Sequence, residues 1–140
     1  SMGGYGALHL GLTYPETFSK IIALSPALIT DELNQMEEGS ANFLANYAYY
    51  REVFGPLDKL DESDKNPKWQ ISQLLEQGLA VPEIYLAMGT EDALHASSEL
   101  FAKFLEEKNV RHTYVSEYGF HNWPFWRKHI EEGVKLFLQN

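Results

Sequence analysis

A chain of 140 residues with 44% hydrophobic and 22% charged side chains has the length and balance of one soluble domain with its own core. Its formal charge of −9, from 20 Asp and Glu against 11 Lys and Arg, disfavours nucleic acid, whose phosphates select a basic surface. The lack of cysteine excludes a disulfide framework and a thiolate metal site, and no apolar run approaches the roughly 20 residues a membrane helix needs.

Periodicity predicts alternating helix and strand. The small and apolar stretch 3–13 stops before Tyr14-Pro15 and predicts a helix. KIIALSPAL, 20–28, is a short β-branched run and predicts a buried strand. Residues 30–78 are different in character, polar and aromatic. They predict a helix over 41–54, a loop through GPLDKLDESDKNP, and a second helix over about 68–77. EIYLAMG, 83–89, follows Val81-Pro82 and predicts another buried strand. Leu100, Phe101, Phe104 and Leu105 predict a helix over 97–108. RHTYVSEY, 111–118, alternates as a strand, and Ile130, Val134, Leu136 and Phe137 mark a C-terminal helix.

Strands separated by helices imply an α/β fold, with parallel strands flanked by helices. Three strands are legible, where a doubly wound sheet usually has about five or more. No strand precedes the first helix. The expectation is therefore a single partial domain over 1–140, the second half of an α/β fold, with 30–78 as a helical cap insertion.

The chemistry-bearing residues lie at element ends. SMGGYGAL, 1–8, supplies a serine, a following amide on Met2 and a small-residue helix start. That is the pattern of a nucleophile elbow, where close packing exposes the serine and the next N–H donates to an oxyanion. A serine needs a base, and the base needs an orienting carboxylate. Glu91 and Asp92 follow one predicted strand, and His121 follows the next in a glycine-containing loop. Carboxyl ends of parallel strands are where such sheets place their sites. On the residues alone either Glu91 or Asp92 is the orienting acid.

The segments SMGGYGAL (1–8), GTEDAL (89–94) and GFHNWPFW (119–126), in this order, resemble the α/β-hydrolase superfamily. Within it they resemble the esterases that include S-formylglutathione hydrolases, tributyrin esterases and feruloyl or acetylxylan esterases. The resemblance spans nearly the whole chain and the C-terminal half of the family's domain. It implies a serine carboxylesterase with Ser1 as nucleophile, Asp92 as triad acid, His121 as base and Met2 as an oxyanion donor. It implies a small ester substrate and no cofactor. One departure is Asn122 after the histidine, where the family often has aspartate.

Further expectations follow. Phe43, Tyr47, Tyr50 and Trp123 are candidates to line a substrate pocket, although aromatics at such spacing also simply pack. Trp123 and Trp126 are candidates to lock the histidine loop. No metal motif such as H-E-x-x-H occurs. Without cysteine or a visible signal peptide, the expected location is cytoplasmic. A serine with no strand ahead of it is expected to be loosely held. Residues 1–140 alone are expected to turn over ester poorly, because the second oxyanion donor belongs to an earlier loop. The exposed apolar edge is expected to self-associate or hold a companion N-terminal half. Competing readings are Ser1-Met2 as an appended leftover, the glycines as a phosphate loop, an N-terminal-nucleophile hydrolase, and a non-catalytic remnant or interaction module.

Overall fold

The apolar runs Lys20–Leu24 (β1), Glu83–Gly89 (β2) and His112–Glu117 (β3) pair as a parallel sheet in the order β1-β2-β3. The structure is a computed structural model and describes residues 1–139. The helices are α1 (Met2–Thr13), α2 (Thr30–Asn34), α3 (Tyr47–Phe54), α4 (Pro67–Glu76), α5 (His95–Glu107) and α6 (Trp123–Leu138), with a 3-10 turn at Leu57–Lys59. Register places Ile21 beside Ile84 and Ile84 beside His112.

Period-two alternation along the strands splits the core into two layers. Ile21, Ala23, Ile84 and Leu86 cluster with Leu8 and Leu12 of α1, Ile71 and Leu74 of α4, and Phe101 and Leu105 of α5. On the other face Ile22, Leu24, Tyr85, Ala87 and Val115 meet Phe125, Trp126, Leu136 and Phe137 of α6. A sheet buried on both faces accounts for the apolar strand sequences. A third cluster forms away from the sheet. Tyr5 of α1 joins Ala27, Ile29, Leu33, Tyr50, Phe54, Leu57 and Leu60. Within segment 30–78, α2 and α3 belong to this third cluster, whereas α4 belongs to the sheet core.

Two boundaries differ from the sequence expectation by more than two residues. β1 ends at Leu24, not at 28. Ser25 has φ 45°, in the left-handed region, and Pro26 has no N–H to continue a ladder. The helix expected over 41–54 begins at Tyr47. The side chain of Asn46 caps it by accepting from the Tyr49 N–H at 2.9 Å. Upstream, Asn42 Oδ1 takes the N–H groups of Leu44 and Ala45 and so holds 41–46 in a non-helical loop.

One glycine positions α1. A Cβ on Gly4 would lie 2.7 Å from the Leu24 carbonyl oxygen and 2.8 Å from Pro26 Cα. Only glycine lets the first turn of α1 lie against the turn that ends β1. Core packing is tested by Leu86→Ala. Leu86 is 0% exposed, so the truncation should cost about 2–5 kcal/mol in urea unfolding. The same truncation at exposed Leu100 should stay within about 0.5 kcal/mol.

Candidate active site

β2 and β3 end side by side, Gly89 opposite Glu117, and the two following loops are stitched together. Thr90 N–H donates to the Glu117 carbonyl at 2.9 Å, and Glu91 N–H to the Gly119 carbonyl at 3.0 Å. A Cβ on Gly89 would fall 2.4 Å from the Gly119 oxygen. The two loops therefore approach as closely as backbone permits.

That approach joins Asp92 to His121. The Asp92 side chain is 2% exposed. Its Oδ1 accepts from the Leu94 N–H at 2.9 Å, and its Oδ2 lies 2.6 Å from His121 Nδ1. A buried carboxylate is tolerable only when its lone pairs are satisfied. Glu91 lines the adjoining cavity without touching the histidine in any recorded hydrogen bond, so the carboxylate paired with the ring is that of Asp92. Beyond the ring, Ser1 Oγ lies 3.0 Å from His121 Nε2.

The expectation that Ser1 is loosely held is met by two backbone hydrogen bonds to it. Its carbonyl accepts from the Ala27 N–H at 2.9 Å and from the Tyr5 N–H at 3.2 Å. The turn after β1 thus holds the serine backbone directly. Met2 opens α1, and the first N–H groups of a helix lack intrahelical acceptors and carry positive partial charge. The N–H of Met2 is therefore free of the helix ladder. His121 is fixed from the other side by Asn122, which caps α6 by accepting from the Phe125 N–H. Aspartate would cap equally well, which accounts for the departure from the family pattern.

A second histidine is buried next to this loop. His129 is 0% exposed, with Nε2 2.8 Å from Glu117 and Nδ1 3.0 Å from the Tyr85 hydroxyl and 3.1 Å from Glu132. The Lys128 hydrogen bond, aided by His129, holds Glu117 below the usual carboxylate range despite partial burial. Burial first, then the Glu132 carboxylate, pushes the Tyr85 phenol up. This cluster ties β2, β3 and α6 together directly behind the His121 loop.

A cavity of about 710 Å³ opens beside Ser1, Met2 and His121. Its apolar wall is Ile29, Phe43, Leu44, Tyr50, Val53 and Phe54, joined by Tyr49. Two pocket candidates require correction. Tyr47 occupies the first position of α3 and lines a separate surface concavity with Arg51 and Glu52. Trp123 is 67% exposed and packs edge-on against Trp126, outside the cavity. Trp126 itself packs edge-on against His121, at 5.0 Å between ring centroids. Sequence reasoning missed Tyr49, Val53 and Phe54. The signal was Asn46, whose capping role sets the phase of α3.

The model of the family described as "Putative esterase" matches residues 1–137. The chain belongs to this esterase family. It is 40% identical to an acetyl esterase of Caldicellulosiruptor saccharolyticus over 130 residues, 93% of this chain and 49% of the relative. Similar solved folds include the Staphylococcus aureus fluorophosphonate-binding serine hydrolase F in a substrate-bound form, with TM-score 0.79 and 22% identity over 97% of this chain and 51% of that one. The S-formylglutathione hydrolase of the same organism matches with TM-score 0.78 and 22% identity, over the same shares of the two chains. The chain thus spans about half the length of the esterases it matches. Among the described residues no helix is long and apolar enough to cross a membrane.

Gly89 tests the loop approach. Gly89→Ala should push the loops after β2 and β3 apart and cost about 1–3 kcal/mol in thermal unfolding. Gly78→Ala, at a φ of 69° with open space around it, should cost only its backbone strain and leave the Asp92–His121 pair intact by NMR.

Proposed function

We propose that the protein is a serine carboxylesterase acting through Ser1, His121 and Asp92. The observation that carries this reading is the line from Ser1 Oγ through the His121 ring to Asp92, at 3.0 and 2.6 Å, beside an apolar cavity. In this scheme His121 Nδ1–H donates to Asp92, which leaves Nε2 to accept the Ser1 proton as Oγ attacks the ester carbonyl. The C–O bond to the alcohol then breaks, and His121 returns the proton to the leaving oxygen. Water, deprotonated by the same nitrogen, releases the acid from the acyl-enzyme. Asp92 stays ionised, keeps the ring in the required tautomer and stabilises the imidazolium.

The Met2 N–H serves as one oxyanion donor. A second donor is assigned to a loop ahead of the elbow. Residues 1–140 on their own should therefore be slower than a protein supplying both donors by about 10²–10³. The similarity to an acetyl esterase supports a small acyl group. The cavity volume leaves room for a larger apolar or aromatic one. The segment around α2 and α3 acts as the cap. The outer edge of β1 pairs with no strand among the described residues, and it is the proposed contact for a companion segment or a second copy. The scheme uses no cofactor.

The test is hydrolysis of a small activated ester, together with Ser1 phosphonylation by a fluorophosphonate read by mass spectrometry. Ser1→Ala and His121→Ala should abolish both, and Asp92→Asn should lower kcat by about 10⁴. Turnover that survives Ser1→Ala sinks the reading. Phe43→Ala should shift the kcat/KM ratio between acetyl and longer esters by about tenfold, the scale of a lost apolar contact. An unchanged ratio across a series of acyl lengths would remove Phe43 from the pocket.

A further inference from the structure

The turn that ends β1 reaches both ends of the proton-transfer pair. Ser25 is fully buried, yet it is a non-glycine residue at φ 45°. A serine kept in the left-handed region marks a position where something other than backbone comfort selects the side chain. Its N–H continues the ladder to the Ala87 carbonyl at 2.9 Å, so the backbone is satisfied. Its Oγ accepts from Trp126 Nε1–H at 3.0 Å, across 101 positions of sequence. The rings of Trp126 and His121 meet at right angles, with planes at 89°. Two residues on, Ala27 N–H holds the Ser1 carbonyl.

We propose that Ser25 is a positioning residue: it fixes the indole of Trp126, and Trp126 fixes the plane of the His121 ring toward Ser1. This inference rests on the esterase reading of the site. Asp92 holds Nδ1 and Ser1 lies at Nε2, and these two contacts at the ring nitrogens leave the tilt of the ring plane to its neighbours. The perpendicular Trp126 ring, 5.0 Å away between centroids, opposes that tilt, and the Ser25 hydroxyl stops the indole from turning away. One turn then carries the Ser1 backbone and, through Trp126, the His121 plane, so the two reacting side chains share a frame.

Three variants separate positioning from turn geometry. Ser25→Ala removes the acceptor and keeps the strain. Ser25→Gly removes the acceptor and relieves the strain. Trp126→Phe removes the donor, keeps an aromatic ring against the sheet face and leaves Ser25 and its backbone in place. All three should lower kcat on a small activated ester by about tenfold with KM within about twofold, the scale of one lost hydrogen bond. Ser25→Gly should do so while keeping or raising the unfolding midpoint. Ser25→Ala combined with Trp126→Phe should be no slower than either alone, because each deletes the same bond. The imidazole resonances of His121 should move in all three variants. Wild-type kcat in Ser25→Gly, or multiplicative effects in the double variant, would overturn the proposal. If wild-type Ser1 is not phosphonylated, the esterase reading fails separately. The His121 resonances then still decide whether Ser25 governs the ring, and unmoved resonances would overturn the link.

Discussion

A carboxylate removed from water has to be matched, and Asp92 is the carboxylate around which this site is arranged. Its side chain is 2% exposed, where an unpaired charge would be severely penalised. The Leu94 N–H satisfies one oxygen and His121 the other. The histidine can reach it only because the loops after β2 and β3 meet backbone to backbone at Gly89 and Gly119. That meeting in turn requires parallel neighbours ending at the same level, which the register of Gly89 against Glu117 provides. Sheet topology, loop glycine and buried charge therefore form one chain of dependence.

The serine end depends on a different contact. Gly4 lets the first turn of α1 lie against the turn after β1, and that turn returns a hydrogen bond from Ala27 to Ser1. α1 also enters the cluster around α2 and α3 through Tyr5, which packs at a steep angle against Phe54 and donates its hydroxyl to the Lys65 carbonyl. Burial, aided by the nearby Asp64 charge, pushes that phenol up to about 12, so it stays a neutral donor at ordinary pH. One helix thus fixes the serine to the sheet on one side and to the cavity wall on the other.

The strands were legible because a doubly buried strand leaves a continuous β-branched run, and KIIAL and EIYLAMG are such runs. Ser1, Asp92 and His121 were legible because order and position after a strand survive in sequence. Their mutual distances come from folding and cannot be read in advance. The end of β1 was hidden because serine gives no sign of a positive φ, a role usually read from glycine. The loop 41–46 was read as helix because its apolar residues fit a helical period. The side chain of Asn42, bonding three groups nearby, overrides that period. α2 is five residues long, too short to show a period at all. Tyr47 and Tyr49 exchanged roles because a helix's facing residues shift with its first residue, and the cap at Asn46 decides that residue.

The sheet core and the cluster around α2 and α3 tolerate change differently. Asp92 and His121 sit on loops pinned by ladder ends, a close glycine contact and a helix cap, so a small displacement there disrupts several bonds at once. The far wall of the cavity is uneven in this respect. Tyr50 and Phe54 are 4% exposed and serve as both core and wall, so altering them disturbs packing shared with Tyr5 and, through α1, with Ser1. Phe43 and Leu44 are 79% and 60% exposed and hang on a loop held by Asn42 and the Ala41–Asn46 bridge. Substitution there costs little folding energy and leaves the pair of His121 and Asp92 untouched. The rim of the cavity at Phe43 and Leu44 is therefore its most readily altered part, whereas the loops after β2 and β3 are held by bonds that a small shift would break.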